Sequence, residues 1–176
     1  MNASELMTPA VQTCGEGADL QRVAQLMWEA DCGVVPVVDA DGRVIGIITD
    51  RDIAMAAYLQ GRPLSQIPVT SAMAKQVRGV REGDALEVVE ALMRGAQVRR
   101  VPVLDGEGRL RGILSLNDLA RHAHRPAGIL GFKLGRKGDG LSNDSVVGTL
   151  AAICQPRAER EPAAKGAPRS DRSARS

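Results

Sequence analysis

The feature that most constrains this chain is a tandem duplication. The heptapeptide GIITDRD at residues 46–52 returns as GILSLND at residues 112–118, an offset of 66 residues. Without any gap, the same offset aligns Met7 with Met73, Glu16-Gly17 with Glu82-Gly83, Leu20 with Leu86, Val23 with Val89, Leu26-Met27 with Leu92-Met93, Val35-Pro36-Val37 with Val101-Pro102-Val103, Asp39 with Asp105 and Gly42-Arg43 with Gly108-Arg109. A repeat of this length predicts two copies of one supersecondary unit that bury their apolar surfaces together.

Hydrophobic periodicity predicts the order β-α-β-β-α in each copy. Short extended segments (10–14 and 76–80) precede apolar stripes at helical spacing (18–30 and 84–95), and Gly95 is the expected C-cap of the second stripe. Two apolar runs around a glycine-containing turn then predict a hairpin, and residues 50–60 and 116–123 predict a closing helix. The strands are almost continuously apolar, which is typical of sheets covered on both faces. We therefore expect an α/β (α+β) fold with two pseudo-symmetric units packed sheet to sheet.

The composition indicates a soluble cytoplasmic protein with an aliphatic core. Hydrophobic residues make up 44% of the 176 residues, but only Trp28, Tyr58 and Phe132 are aromatic. No apolar run approaches the roughly 18 residues of a membrane-spanning helix. The N-terminus lacks the basic and apolar regions of a secretory signal. The three cysteines have no C-x-x-C spacing, which is typical of reduced thiols in a cytoplasm.

Composition also divides the chain into segments. We expect a first repeat at 1–66 with its motif starting near residue 7, a second repeat at 67–124, a glycine-rich linker at 125–141, an amphipathic helix at 142–154 and a disordered basic tail at 155–176. The tail has almost no apolar residues and cannot bury enough surface to fold alone. Contact with nucleic acid through this tail is an alternative function, although no aromatic side chain accompanies its basic residues.

The segment at 142–154 carries an apolar stripe of its own. The residues at helical spacing are Val146, Val147, Leu150, Ala151 and Cys154. Such a helix needs a surface to cover its stripe: the pair of repeats itself, a second protomer, or a client protein. We take packing onto its own pair as the default prediction.

The ordered motif of each copy resembles the cystathionine-β-synthase (CBS) domain. The resemblance rests on Met-Thr, a helix, a Pro-Val strand ending in Asp, and then D-G-x-h-h-G-h-h-T-x-x-D, where h is apolar; it spans roughly residues 5–122. Two copies in tandem resemble the regulatory CBS pair. The resemblance implies a disc-shaped module with two clefts for an adenine nucleotide (AMP, ADP, ATP with Mg²⁺, or an S-adenosylmethionine-like ligand). It also implies a stand-alone regulator that forms a homodimer and signals to an unidentified client protein.

The heptapeptide has the chemistry of a ribonucleotide site. Thr49 and Ser115 each end a predicted strand where a helix begins, and the first turn of a helix has free N–H groups that suit a phosphate. Asp52 and Asp118, three residues on, offer acceptors that suit the two hydroxyls of a ribose. However, a hydroxyl and an Asp at this spacing also resemble the capping box, which needs no ligand. The two interpretations are compatible, and both stay open.

The copies differ where phosphates are expected. In nucleotide-binding CBS pairs, basic residues just before the Pro-Val strand reach phosphates. The resemblance therefore makes Arg99 and Arg100 the phosphate candidates. Solvated charges at a sheet edge are the alternative interpretation. The first copy has Val34 and Val35 in this region, an apolar wall for an adenine face. We expect asymmetric occupancy, although clefts built from both repeats leave the assignment of Asp52 and Asp118 open.

The first strands of both copies are expected to add backbone hydrogen bonds to the base edge. The full set of candidate nucleotide-binding residues is Thr49, Asp52, Ser115, Asp118, Arg99, Arg100, Val34, Val35, Pro36, Val101, Pro102, Thr13, Cys14, Gly79 and Val80. No catalytic or metal constellation is visible, because His122 and His124 stand together without a Cys or carboxylate cluster. We therefore predict a nucleotide sensor that is not an enzyme. The alternative is a ligand-free assembly module.

Overall fold

The computed structural model describes residues 1–9, 11–123 and 143–154. The predicted linker at 125–141 and the basic tail at 155–176 lie outside these residues. The helices and strands, in chain order, are α1 (Ala3–Leu6), β1 (Cys14–Gly15), α2 (Leu20–Glu29), β2 (Val34–Val38), β3 (Val44–Thr49), α3 (Asp50–Gln60), β4 (Val80–Arg81), α4 (Leu86–Ala96), β5 (Arg100–Leu104), β6 (Leu110–Ser115), α5 (Leu116–Ala123) and α6 (Asn143–Ile153).

The predicted β-α-β-β-α order occurs in both copies, which confirms the fold class. Each copy has a three-stranded sheet, β1-β2-β3 or β4-β5-β6, in which the first pairing is parallel and the second antiparallel. The registers match under the 66-residue offset: Val34 lies opposite Thr49, and Arg100 lies opposite Ser115. The hairpin turns of the two copies also meet, since Val44 N donates to Gly108 O over 3.1 Å. The duplication in sequence is therefore a duplication in space.

Each sheet gains a strand-like neighbour from the segment that precedes the other copy. Thr8 pairs with Ile113 of β6, and Ala74 pairs with Ile47 of β3, each through two backbone hydrogen bonds. The N-terminal helix α1 consequently belongs to the second core, where Ala3 is fully buried. Val69, its equivalent, is fully buried in the first core. This crossing over ties the two cores together.

The helix boundaries correct one prediction. We expected Gly95 to cap α4, but α4 continues to Ala96 and ends at Gln97, which is left-handed with φ of 50°. Asp31, its equivalent after α2, has φ of 46°. The duplication has preserved the backbone conformation without keeping a glycine at either position.

Helix α6 packs against α4 and α5 of the second copy, as the default prediction had it. Its buried face differs from the predicted stripe, because Val147, Leu150, Ala151 and Cys154 are exposed. Of that stripe only Val146 is buried, in one cluster with Leu116 and Leu119. Thr149 is the other buried member of the face. No helix in the described part of the chain is long and apolar enough to cross a membrane.

A buried carboxylate explains the polar side of the α6 contact. Glu90 of α4 is 3% exposed and accepts a hydrogen bond from Ser145 Oγ at 2.6 Å. Thr149 Oγ1 lies 3.4 Å from the other carboxylate oxygen and 3.4 Å from a guanidinium nitrogen of Arg94. Hydropathy alone could not reveal this face, since its specificity comes from hydroxyl groups paired with a charge on another helix.

Candidate functional site

The first heptapeptide forms a complete capping box. Thr49 is the N-cap of α3, and its Oγ1 accepts a hydrogen bond from Asp52 N at 3.2 Å. In return, Asp52 Oδ2 accepts from Thr49 N at 3.0 Å and from Thr49 Oγ1 at 2.6 Å. Among the described residues, Asp52 Oδ1 has no hydrogen-bond donor. One carboxylate oxygen therefore holds the helix start, and the other can accept from a ligand.

The second heptapeptide repeats this geometry in a more buried position. Asp118 Oδ2 accepts from Ser115 N at 2.8 Å and from Ser115 Oγ at 2.6 Å, while Ser115 Oγ accepts from Asp118 N at 3.3 Å. Asp118 is only 7% exposed. Its outer oxygen, Oδ1, pairs with the guanidinium of Arg121, a side chain that is itself largely exposed. The capping interpretation is thus realised at both sites.

Two adjacent arginines, Arg99 and Arg100, stand at the strand that pairs with the second motif. Arg100 lies directly opposite Ser115 across the β5–β6 pair, and Arg99 O accepts from Leu116 N at 2.9 Å. Both arginine side chains are exposed, and neither pairs with a carboxylate within the described residues. The equivalent positions of the first copy are Gly33 and Val34. The two copies therefore differ in basic residues at this strand, and asymmetric occupancy stays a prediction.

Two grooves open beside these motifs. One, of about 510 Å³, is lined by Met1, Glu5, Leu6, Asp118, Arg121 and His122. The other, of about 440 Å³, is lined by Ala24, Met27, Trp28, Asp31, Cys32, Gly33, Asp50 and Ile53. Both volumes fall in the range typical of small-molecule sites, about 300–1,000 Å³. Of these two grooves, the larger contains one predicted binding residue, Asp118, and the smaller contains none.

Comparison with known proteins identifies the family. The family model of the CBS domain matches residues 3–58 and again residues 65–125. The chain belongs to the CBS domain family. Its two CBS domains correspond to the two copies of the duplication, and the resemblance inferred from the sequence is confirmed.

Similar proteins include other CBS pairs. The CBS domain-containing protein YhcV of Bacillus subtilis is 36% identical over 119 residues, which cover 68% of this chain and 83% of YhcV. Hypoxic response protein 1 of Mycobacterium tuberculosis is 30% identical over 156 residues, 89% of this chain and 96% of that protein. One solved structure is a CBS domain protein from Pyrobaculum aerophilum complexed with AMP. It is 26% identical with a TM-score of 0.61, and the match covers 68% of this chain and 90% of that chain.

Seven predicted site residues of this CBS pair are buried within its sheets. They are Val34, Val35, Pro36, Val101, Pro102, Cys14 and Val80. Gly79 is half-buried, and a Cβ there would lie 3.0 Å from Pro102 O and 2.9 Å from Leu104 Cδ1. Thr13 is half-buried as well. The side chains of the buried residues pack in the protein interior, and the sheets to which these residues belong carry both motifs.

The cysteines of the pair differ in environment, which gives a first prediction. Burial raises the pKa of the Cys14 thiol, whereas Cys154 is exposed and Cys32 partly exposed. A higher pKa leaves less thiolate at neutral pH, and thiolate is the reactive form. We expect iodoacetamide to modify Cys14 at least about tenfold more slowly than Cys154 in the native protein. Peptide mass spectrometry measures this ratio, and equal rates without denaturant would contradict it.

Sequence reasoning missed part of the larger groove. Glu5 and Leu6 belong to α1, and Met1 lies just before it; this helix falls within the residues matched as the first CBS domain but packs on the second. The bridge between Asn2 and Ala85 shows the same crossing over. Arg121 was also missed, although its position three residues after Asp118 on α5 is a signal for a side-chain pair on one helix face.

The two domains differ in charge around their motifs. The groove of the first domain carries the carboxylates of Asp31 and Asp50, and their equivalents in the second domain are Gln97 and Leu116. Asp50 Oδ2 would lie 3.0 Å from a Cβ at Gly33. Within the described residues, no cluster of three or more His, Cys, Asp or Glu could hold a metal ion.

Proposed function

We propose that this CBS pair is a regulatory sensor of an adenine nucleotide, bound principally at the motif of its second domain. The observation that carries the proposal is the position of Arg99 and Arg100 beside the Ser115–Asp118 pair, at the start of α5. The ligand class is AMP, ADP, ATP with Mg²⁺, or an S-adenosylmethionine-like molecule. A protein of this kind acts through binding and assembly, without catalysis.

Electrostatics favour the second motif for a phosphate. The N-terminus of α5 supplies free N–H groups and the positive end of a helix dipole. Arg99 and Arg100 stand at the strand that pairs with Ser115, and Arg121 pairs with Asp118 on α5. Guanidinium groups bind phosphate oxygens in a bidentate manner. At the first motif a single arginine, Arg51, is accompanied by the carboxylates of Asp31 and Asp50, which oppose an anion. This difference supports one strong cleft and one weak cleft.

The carboxylate of Asp118 is suited to a ribose. Its Oδ2 remains engaged by Ser115, so the helix cap can persist while a ligand is bound. Its Oδ1 currently pairs with Arg121. We propose that a ribose hydroxyl donates to Oδ1 and that Arg121, whose side chain is 76% exposed, turns toward the phosphate. The exchange replaces one charge-assisted pair by two contacts to the ligand.

Relatives support the ligand class. The Pyrobaculum aerophilum CBS domain protein was solved as a complex with AMP. Its 26% identity to this chain makes AMP the first ligand to try. For the output, we propose a homodimer in the cytoplasm whose packing changes on binding, read by a client protein. A ligand acts on that equilibrium only through its different affinities for the two states.

Calorimetric titration of the full chain with AMP, ADP, ATP, S-adenosylmethionine and NAD tests this proposal. We expect saturable binding of at least one ligand, weakened at least about tenfold by Asp118→Ala because a hydrogen bond to a charged group is lost. Asp52→Ala is expected to have a smaller effect. Asp19→Ala is the matched control, because Asp19 caps α2 and lines neither groove.

The control separates capping from binding. Asp19 is the N-cap of α2, whereas Asp52 and Asp118 are the third helical residues whose carboxylates complete the capping boxes at Thr49 and Ser115. Loss of a capping interaction costs ~1 kcal/mol of stability, so all three variants should lose comparable stability in thermal unfolding. Only Asp118→Ala should lose most of the ligand affinity. Equal affinity of Asp118→Ala and Asp19→Ala would overturn the proposed site.

A second candidate function is a ligand-free assembly module. The complete capping boxes at Thr49 and Ser115 favour it, because both motifs have a structural role without a nucleotide. Absence of heat with every ligand, from protein shown to be folded by circular dichroism, would favour this function over the sensor.

A further inference from the structure

The groove of the first domain, of about 440 Å³, has side chains whose charge is opposite to that of their equivalents. Four of its lining residues differ in this way from the second domain under the 66-residue offset: Trp28, Asp31, Gly33 and Asp50 correspond to Arg94, Gln97, Arg99 and Leu116. These positions carry two carboxylates in the first domain and two guanidinium groups in the second. The two copies have therefore diverged toward opposite charges at one place in the fold.

The C-terminal end of α2 lacks a compensating positive charge. The C-terminus of a helix carries the negative end of the helix dipole, and basic residues in the last turn stabilise it. Helix α4 has Arg94 in this turn. The last turn of α2 has no basic residue and ends at Glu29, and Asp31 follows two residues later. Asp31 is exposed and, within the described residues, pairs with no cation. A bound cation would neutralise this accumulated negative charge.

Asp50 brings a second carboxylate to the same groove. Its Oδ1 accepts a hydrogen bond from Arg51 N at 2.7 Å, at the start of α3. Its Oδ2 lies 3.0 Å from the position that a Cβ at Gly33 would take, so the absence of a side chain at Gly33 leaves room for the carboxylate. In the described part of the chain, no donor reaches Oδ2. Arg51 is exposed and does not line the groove.

The remaining walls of the groove suit carbon atoms. Trp28 is 88% exposed, and an indole ring is the aromatic group that attracts a cation most strongly. Met27 and Ile53 are buried apolar residues that also line the groove. A metal ion gains nothing from such walls, and the described residues contain no group of three or more metal-ligating side chains. The volume falls in the range of small-molecule sites.

We propose that this groove binds a small organic cation of the alkyldiamine class. Its ammonium groups donate to the carboxylates of Asp31 and Asp50, and its carbon chain lies along Trp28 and the apolar walls. The ligand has the opposite charge to the nucleotide proposed for the second domain. The two sites are separate, so a failure of either proposal leaves the other standing.

Fluorescence titration of the full chain with putrescine, at fixed ionic strength and without nucleotide, tests the proposal. Trp28 is the single tryptophan of the chain, so its emission reports on this groove. We expect a saturable change with putrescine. We expect binding at least about tenfold weaker in Asp31→Asn/Asp50→Asn, because two charge-assisted hydrogen bonds become neutral ones. Tetramethylammonium, which has no N–H donor, should bind more weakly than putrescine.

Glu16→Gln/Glu87→Gln is the matched control. It removes the same two negative charges from exposed positions outside the groove and should bind putrescine like the native chain. Asn, like Asp, adopts left-handed backbone, so Asp31→Asn can keep the φ of 46°. Because this substitution removes a negative charge from the end of α2, we expect its unfolding temperature to equal or exceed that of the native chain. Loss of binding is thereby separated from loss of the fold.

Trp28→Leu tests the aromatic contact by calorimetric titration, which does not depend on the indole signal. We expect putrescine to bind about two- to fivefold more weakly, the contribution of a cation–π contact at an exposed site. Unchanged affinity would remove Trp28 from the site.

Three results would overturn the proposal as a whole. They are no saturable response of the native chain up to about 10 mM putrescine, equal weakening in the two double carboxylate variants, and a response to Mg²⁺ as strong as that to putrescine. The second result would reduce binding to overall charge, and the third would remove the selectivity for an organic cation.

Discussion

Gly112→Ala destabilises the protein by about 3 kcal/mol, the upper part of the range for overpacking a closed site. A Cβ at this position would lie 2.7 Å from Met7 Sδ and 2.8 Å from Thr8 O. Thr8 O cannot move aside freely, because it accepts a hydrogen bond from Ile113 N at 3.0 Å. The substitution must therefore displace the N-terminal segment from β6. Urea denaturation followed by circular dichroism measures the change.

Gly46→Ala is the matched comparison from the first domain. There a Cβ would clash with Met73 Sδ, and the nearest atoms all belong to the flexible Met73 side chain. We expect a smaller loss than for Gly112→Ala, and partial recovery in the double variant Gly46→Ala/Met73→Ala relative to the sum of its single changes. A larger loss at Gly46 than at Gly112 would contradict this explanation.

The double variant Arg99→Glu/Arg100→Glu weakens binding of the preferred phosphate-bearing nucleotide by more than about 100-fold, since each hydrogen bond between a guanidinium and a phosphate contributes ~1.5–3 kcal/mol. Both side chains are exposed, and Arg100 projects from β5 opposite Ser115. Their replacement leaves the buried strand residues in place. Calorimetric titration at two salt concentrations measures the loss and its electrostatic origin.

Arg109→Glu provides the matched charge reversal. Arg109 is exposed in the same domain, at the hairpin turn, and pairs with Glu107. This variant changes the net charge in the same direction, but at a position away from the motif. If this variant weakened binding as much as a single reversal at Arg99 or Arg100, the effect would come from overall charge, and the assignment of the two arginines to the phosphate would be wrong.

Much of the fold was predictable because the duplication tests each pattern twice. The hairpins that contain Asp39 and Asp105 share one sequence pattern, so each supports the prediction of the other. Both turns contain a glycine with φ near 80°, Gly42 and Gly108. The helix end at Gln97 was not predictable, since a left-handed non-glycine residue has no signature of its own in the sequence. The position of α1 on the second domain was also hidden, because that crossing over depends on contacts between distant segments.

The candidate site divides in the same way. The pairs Thr49–Asp52 and Ser115–Asp118 are local, so their spacing alone predicted the capping geometry that the structure contains. The pairing of Asp118 with Arg121 and the groove beside α1 involve burial and a long-range contact. Burial likewise separates Val35 and Cys14, which face the core, from Arg99 and Arg100, which face solvent.

The sequence by itself determined that this chain contains two CBS domains, because a 66-residue repeat and the periodicity of its apolar residues depend only on residue order. Only the tertiary structure decided how the two nearly equal halves became different. Glu90 is buried against the hydroxyl groups of α6, whereas its equivalent, Ala24, lines an open groove beside an exposed Trp28. The physical reason is that burial and hydrogen-bond partners come from segments far apart in the chain. The residue pattern within one repeat therefore does not specify them.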